Sequence, residues 1–252
     1  MNIGFLGSGH ITSSIIEGIF KSKLKIKKIY ISPRNKLISK KISKRFKKVT
    51  IAINNQQVID RSNWVFLAVT PQVGIKILSK LKFSKNKKII SLISTISLEK
   101  LKKYTKNKNI SRVIPLPFIG MRKGPIIICP KNNQLKNFFK HLGKVIELKN
   151  EKTSKAFWST SSFMASFYFL LNQTSNWLTS KGIKRKDAED YTRELFLALS
   201  EDAINKNKNS LKQLVLESQT PGGTNAYVLN QLKKKKFYKV QQTVLNSIFK
   251  KF

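Results

Sequence analysis

Cysteine and histidine are nearly absent from this chain. Its 252 residues include one cysteine, Cys129, and two histidines, His10 and His141. A single thiol excludes an intramolecular disulfide and any cysteine-built zinc cluster. Two histidines are too few for a histidine-built metal centre, so no metal is expected. Long apolar runs are missing too. The best candidate, Phe163 to Leu171, is far too short to span a bilayer, so no membrane segment is expected. A strand pattern beginning at Asn2 leaves no room for a secretory signal peptide. These absences predict a soluble, cytoplasmic protein.

Acidic residues are also scarce. Asp+Glu number 12 against Lys+Arg 50, a formal net charge of +38. Such a balance suggests nucleic acid or an anionic membrane surface as a partner. The excess is almost all lysine and is spread along the whole chain, with arginine only at Arg34, Arg45, Arg61, Arg112, Arg122, Arg185 and Arg193. Asparagine and isoleucine are abundant while glycine and alanine are sparse, as an AT-rich coding sequence would produce. Compositional drift on a solvated surface is therefore preferred over a dedicated nucleic-acid site. No specific nucleic-acid partner is expected, only weak, salt-sensitive attraction to polyanions.

What is present falls into two grammars. Up to about residue 150, short apolar runs alternate with helical spacing: Asn2–Leu6, Lys28–Ser32, Trp64–Val69, Lys88–Ser94, Arg112–Ile114 and Pro125–Cys129 read as strands. Alternation of this kind predicts βαβ units and a mostly parallel sheet. From Thr153 onward no strand is expected, and glycine and proline are almost confined to Gly182 and Pro221-Gly222-Gly223. Ala156–Lys181 reads as one long helix, apolar enough to be buried on most sides, and Phe167, Tyr168 and Phe169 are assigned to core. Further helices are expected over Lys186–Lys206, Leu211–Glu217, Asn225–Leu232 and Val240–Phe249. The fold class is α/β, with a dinucleotide-binding domain at 1–150 and an all-helical domain at 151–252 that pairs with a second copy in a homodimer or higher homo-oligomer.

The chemistry-bearing stretches are loops. Gly7-Ser8-Gly9-His10-Ile11-Thr12 joins the first strand to the first helix, where a dinucleotide loop requires G-x-G-x-x-G. Gly7 would make the tight turn and Gly9 would let a pyrophosphate approach the helix-start amides, with Ser8, His10 and Ile11 around it. Thr12 stands where the third glycine or alanine belongs, and an ordinary strand-to-helix turn is the competing reading. The second strand ends in Ser32-Pro33-Arg34-Asn35, with no acid to take a ribose 2′-hydroxyl. Arg34 could pair with a 2′-phosphate and Ser32 and Asn35 could donate to it, which favours NADPH over NADH; alternatively Arg34 is one more surface cation. Thr220-Pro221-Gly222-Gly223-Thr224-Asn225 precedes a helix, and its converging backbone N–H groups suit a carboxylate. A plain turn with Thr224 or Asn225 as N-cap is the alternative.

Taken in order, "IGFLGSGHITSSIIEGI", "VFLAVTPQ", "ISLISTISLEKL", "RVIPLPFIG" and "TPGGTN" resemble the pyrroline-5-carboxylate reductases over nearly the whole chain. The resemblance implies that Ala68, Val69, Pro71 and Gln72 line the nicotinamide side of the cofactor cleft. It implies that Thr220–Asn225 holds the substrate carboxylate, and that the helical half is a dimerisation domain. Alignment on Gly182 places Ser166 on a family serine and Gln173 on a substrate-facing threonine; alignment on Tyr168 shifts that register by two. Ser166, Gln173 and Thr224 are the candidate catalytic residues. Where the family usually reads Met-Pro-Asn-Thr-Pro, this chain has Ile114-Pro115-Leu116-Pro117, so a polar pair is lost.

The expected activity is hydride transfer from NADPH to the C=N bond of a small carboxylate-bearing cyclic imine, with 1-pyrroline-5-carboxylate giving proline. Such chemistry needs orientation and a dry cleft more than acid–base groups, which suits a chain without paired carboxylates or a catalytic-looking His. Another imine or a keto acid is the alternative substrate, and a non-catalytic basic binding module is the alternative class. Titration with a mixed-sequence oligonucleotide is expected to give weak binding that disappears at moderate salt. Defined-stoichiometry binding surviving physiological salt would instead favour the binding module.

Overall fold

The computed structural model describes residues 1–250, and it divides the chain into two compact units, Met1–Trp158 and from Ser159 onward. Eight strands build the first unit: β1 (Asn2–Leu6), β2 (Lys28–Ile31), β3 (Val49–Ile51), β4 (Trp64–Leu67), β5 (Lys88–Ser91), β6 (Ile110–Ile114), β7 (Pro125–Cys129) and β8 (Lys144–Glu147). They form one sheet in the order β3-β2-β1-β4-β5-β6-β7-β8. Every pairing is parallel except β6 with β7, where Val113 faces Ile128. The order reverses between β1 and β4, and a crevice opens outside the carboxyl ends of strands at such a reversal.

Central strands are apolar on both faces because helices cover both sides. Ile3, Phe5, Ile29, Phe66 and Ile90 enter one core, where the Phe5 and Phe66 rings stack at 4.6 Å. Leu6, Val65, Leu67 and Ile89 point into the other. Each such side chain contributes about 1.5–3 kcal/mol on burial, so the strand ends carrying the loops are well fixed. The helices in this unit are α1 (His10–Lys21), α2 (Lys36–Arg45), α3 (Asn55–Asp60), α4 (Pro71–Leu78), α5 (Leu98–Thr105) and α6 (Asn133–Phe139), with a 3₁₀ turn over Pro117–Met121. Asn35, Asn54, Ser97 and Asn132 cap α2, α3, α5 and α6 through their side chains. The short strands β3 and β8 and the helices α2, α3, α4 and α6 were not anticipated from the sequence. The two strands, of three and four residues, carry too little pattern to be read.

Beyond α7 (Ser154–Ser161), the second unit contains α8 (Met164–Ser180), α9 (Arg185–Asn205), α10 (Leu211–Glu217), α11 (Thr224–Lys234) and α12 (Phe237–Phe249). The single helix expected over Ala156–Lys181 is instead broken at Ser162–Phe163. There Ser162 N donates to Ser159 O and Phe163 N to Thr160 O in a tightened turn. The run Ser159-Thr160-Ser161-Ser162 explains the break, since hydroxyl side chains compete for backbone groups and weaken a helix interior. The core assignment of the aromatic stripe is also corrected: Phe167, Tyr168 and Phe169 are 43%, 53% and 62% exposed. Consecutive helical residues point about 100° apart, so one neighbour cannot cover all three. Phe167 meets α9 edge-on to Phe196 at 6.1 Å, and Tyr168 borders a shallow pocket with Glu189, Thr192 and Arg193 of α9. On α8 only Ser175 is buried.

One buried ion pair braces the first unit. The Arg112 side chain, 2% exposed, pairs with Glu151 at 2.7 Å and donates to the carbonyls of Ser94 and Ile96. Glu151 also accepts from Leu98 N at 3.0 Å, at the start of α5. Burial pushes the Arg112 guanidinium's pKa down, and the Glu151 carboxylate offsets part of that shift. Removing the carboxylate leaves a buried cation without a counter-charge. Glu151→Ala is expected to lower unfolding stability by about 2–3 kcal/mol, below the fully buried range because Glu151 keeps 29% exposure. In denaturant melts, Arg112→Met combined with Glu151→Ala should recover part of that loss; an additive double variant would refute the coupling.

Candidate functional site

The loop at the end of β1 is built around Gly7. Its φ is +115°, and a Cβ there would lie 2.2 Å from the Ala68 carbonyl oxygen. No L side chain fits that conformation or that gap. Three contacts hold the turn. Gly7 N donates to Ser32 Oγ at 3.1 Å, Thr12 Oγ1 donates to Gly7 O at 2.9 Å, and Ser32 Oγ donates to Asn55 Oδ1 at 2.7 Å. Thr12, fully buried, therefore supports the loop by hydrogen bonding its first glycine.

Gly9 is the N-cap of α1 and no side chain caps that helix. A Cβ on Gly9 would meet nothing within 4 Å. The first N–H groups of α1 thus face open space, and with the helix dipole they form an anion site of the kind a pyrophosphate occupies. Ser8 is buried, and its Oγ has no hydrogen-bond partner among the described residues. His10 is exposed and Ile11 partly so at the same helix start. An open cradle, uncapped amides and an unpartnered hydroxyl fit a dinucleotide.

Beside Gly7 lies a cleft of about 320 Å³, lined by Ser32, Arg34, Asn55, Val69, Gln72, Val73, Lys76 and Ile77. It brings together Gly7, Ser32, Arg34, Val69 and Gln72 from the sequence reading. Val69 and Gln72 accordingly share the Arg34 end of the crevice, while Ala68 and Pro71 stay outside the lining. Ser32 lines the cleft, but its hydroxyl is engaged with Gly7 and Asn55. Asn35 is exposed and spends its Oδ1 capping α2 through Ile38 N. Asn55, Val73, Lys76 and Ile77 were missed. The signal for the last three was the i, i+3, i+4 spacing on α4, where Val73, Lys76 and Ile77 follow Gln72 on one face.

In the second unit, Thr220–Asn225 turns into α11. Gly222 has φ +72°, Gly223 is the N-cap without a side-chain cap, and Gly223 N donates to Thr220 O at 2.9 Å. Thr224 opens α11, and Asn225 Nδ2 donates to Ser218 O, closing the loop. Unlike Gly9, Gly223 is crowded: a Cβ there would lie 2.4 Å from Thr220 Oγ1, so the α11 start has no side-chain cap but is bordered by the Thr220 hydroxyl. Ser166 and Gln173 are both exposed on α8. Ser166 lines an apolar groove of about 650 Å³ with Phe167, Leu170 and Val244, and Gln173 Oε1 accepts from Asn176. Neither belongs to the Thr220–Asn225 loop. Among the described residues no cluster of His, Cys, Asp and Glu is arranged for a metal, and no helix is long and apolar enough to cross a membrane.

Comparison with known proteins agrees with this geometry. Residues 2–95 match the family described as NADP oxidoreductase coenzyme F420-dependent, and residues 151–252 match the pyrroline-5-carboxylate reductase dimerisation family. A pyrroline-5-carboxylate reductase of Pisum sativum is 22% identical over 98% of this chain and 92% of its own length. The helical half of the chain belongs to the pyrroline-5-carboxylate reductase dimerisation family, and the chain as a whole is similar to pyrroline-5-carboxylate reductases. Its fold is that of the 1-pyrroline-5-carboxylate reductase of Streptococcus pyogenes, with a TM-score of 0.85 at 21% identity over 100% of this chain and 97% of that one. The Plasmodium falciparum pyrroline carboxylate reductase, solved with NADP bound, gives 0.83 at 19% identity over 100% and 96%. The chain is accordingly an oxidoreductase of the nicotinamide-dependent class, with a Rossmann-type domain followed by a helical dimerisation domain.

The two loop glycines separate folding from binding. Gly7→Ala should destabilise the first unit, because its Cβ collides with backbone. Gly9→Ala should change stability by less than about 1 kcal/mol while weakening nicotinamide-cofactor binding at least tenfold. Thermal melts and cofactor titrations of both variants test this, and a Gly9→Ala protein with unchanged cofactor affinity would refute the cradle.

Proposed function

We propose that this protein reduces 1-pyrroline-5-carboxylate to proline with NADPH, acting as a cytoplasmic homodimer. The observation that carries the reading is the pairing of two anion-binding helix starts in one chain. The Gly9 start of α1 suits a pyrophosphate, and the Gly223 start of α11 suits a carboxylate. The match of the first half to an NADP oxidoreductase family and of the second to the dimerisation family supports it.

When bound, the cofactor supplies a hydride for the imine carbon. The remaining work is binding and orientation, because a protonated imine nitrogen already carries the proton that the product amine retains. Gly7, Ser8, Gly9, His10 and Ile11 form the turn against the pyrophosphate. Arg34 and Asn35 stand at the adenosine end, and Ser32 holds Gly7 in place. Ala68, Val69, Pro71 and Gln72 follow β4 along the crevice. The backbone of Thr220–Asn225 receives the substrate carboxylate, with Thr224 at the helix start. Ser166 and Gln173 on α8 are assigned to the substrate side. A homodimer is supported by the apolar side chains that α8 and α9 leave exposed, Trp177 at 60% and Leu199 at 58% among them.

A second reading, turnover of another cyclic imine or a 2-oxo acid, is favoured by Leu116-Pro117. An apolar, half-buried side chain and a proline stand there beyond β6 where the family carries a polar pair. Purified protein should oxidise NADPH with 1-pyrroline-5-carboxylate as a saturable substrate, and the gene should rescue a proline auxotroph lacking the reductase. Turnover of another imine or of a 2-oxo acid alone would select the second reading. Absence of saturable NADPH binding would overturn both.

A further inference from the structure

Arg34 is not the only cation in the cleft beside Gly7. Lys76 lines the same 320 Å³ cleft from a different element, reaching it from the last turn of α4 while Arg34 comes from the turn after β2. We propose that Lys76 is a specificity-determining residue that acts with Arg34 to select a dinucleotide carrying a phosphate on its adenosine ribose. The inference rests on the nicotinamide-dependent reading above and adds the basis of its choice between phosphorylated and unphosphorylated cofactor.

The cleft is chemically one-sided. No aspartate or glutamate lines it. A ribose with a free 2′-hydroxyl wants a carboxylate acceptor here, and none is offered. Neither Arg34 nor Lys76 forms an ion pair among the described residues, although Arg45, Arg112, Arg185 and Arg193 all do. In a chain with only 12 acids, unpaired lysines are common. The case for Lys76 therefore rests on its position beside Arg34 in an acid-free cleft and not on the number of cations there.

The Ser32 hydroxyl is already committed, and the remaining donors of the cleft, the Asn55 and Gln72 amides, are uncharged. Ser32 Oγ gives its proton to Asn55 Oδ1 and accepts from Gly7 N. Asn35 Oδ1 caps α2. A dianion entering the cleft therefore depends on the two cations for its charge-assisted bonds. The placement of Lys76 is fixed by packing. Gly74 and Leu78 are the buried residues of α4, and Gly74 lies tight against Ile93, so the opposite face of the helix turns Gln72, Val73, Lys76 and Ile77 to the cleft. Val69, Val73 and Ile77 supply an apolar wall suited to the face of an adenine. Lys76, exposed, borders the same cleft on a side chain long enough to carry its ammonium to a bound anion.

The test compares NADPH and NADH binding by nicotinamide fluorescence for wild type, Lys76→Ala, Lys76→Arg and Arg34→Ala. Lys76→Ala and Arg34→Ala should each weaken NADPH about five- to tenfold and leave NADH unchanged. Lys76→Arg should retain most of the preference. Adenosine 2′-monophosphate should compete with NADPH better than adenosine 5′-monophosphate in wild type, and that advantage should shrink in Lys76→Ala. Equal weakening of both cofactors by Lys76→Ala would place the lysine on the shared part of the dinucleotide and overturn the proposal. So would no change in either. If wild type binds neither cofactor, the reductase reading itself fails; if it binds both and only Lys76→Ala is silent, this inference fails alone.

Discussion

The close approach of Gly7 to the Ala68 carbonyl is the constraint on which the first unit's site depends. β1 and β4 become neighbours only after the chain has run out through β2 and β3 and returned. Their carboxyl ends must then meet with one backbone turning away at once, and the positive φ of Gly7 makes that turn. Everything around it serves the same geometry. The second strand's end delivers Ser32 to its amide, α1 returns Thr12 to its carbonyl, and Asn55 fixes Ser32 from α3. With the turn anchored on these sides, Gly9 and the α1 amides are left uncovered, and the protein spends none of its own side chains on capping them.

The two units use apolar residues in opposite ways. In the first, isoleucines and phenylalanines of the sheet are fully enclosed between helices, which fixes loop positions tightly. In the second, Ala188, Thr192 and Ser175 are buried between α8 and α9, while Trp177, Tyr191 and Leu199 stay exposed. A helix pair enclosing so little cannot offset the conformational entropy of ordering itself. Its apolar surface acquires a purpose when a second copy covers it, which is the sense in which the family match to a dimerisation domain is physically intelligible.

Much of this was legible in the sequence because it depends on local rules. Continuous apolar runs located β1, β4 and β7, and glycines at fixed offsets located the turns into α1 and α11, whose helix starts have no side-chain cap. What was not legible depends on long-range contact. Thr12 looked like a defect in a glycine pattern, yet its hydroxyl reaches back five residues to support Gly7. Arg112 read as a strand residue, and only the fold shows it buried against Glu151, with α5 starting on the same carboxylate. The aromatic run at Phe167–Phe169 shows the converse. Apolar content was correctly seen, but whether it faces this chain or another is not encoded in its periodicity.

Charge and geometry also have separate roles. Glu17, Glu147, Glu151, Glu189, Asp190 and Asp202 are occupied in ion pairs, which leaves a large surplus of lysine over the surface. A field of that kind raises the local concentration of any anion and is screened over roughly 10 Å at ordinary salt. It cannot distinguish a dinucleotide from an oligonucleotide. Discrimination requires donors at fixed positions, and the uncapped backbone amides at the starts of α1 and α11 are held in place by the fold in a way that the diffuse lysine field is not. The lysine surplus therefore bears on how fast anions arrive.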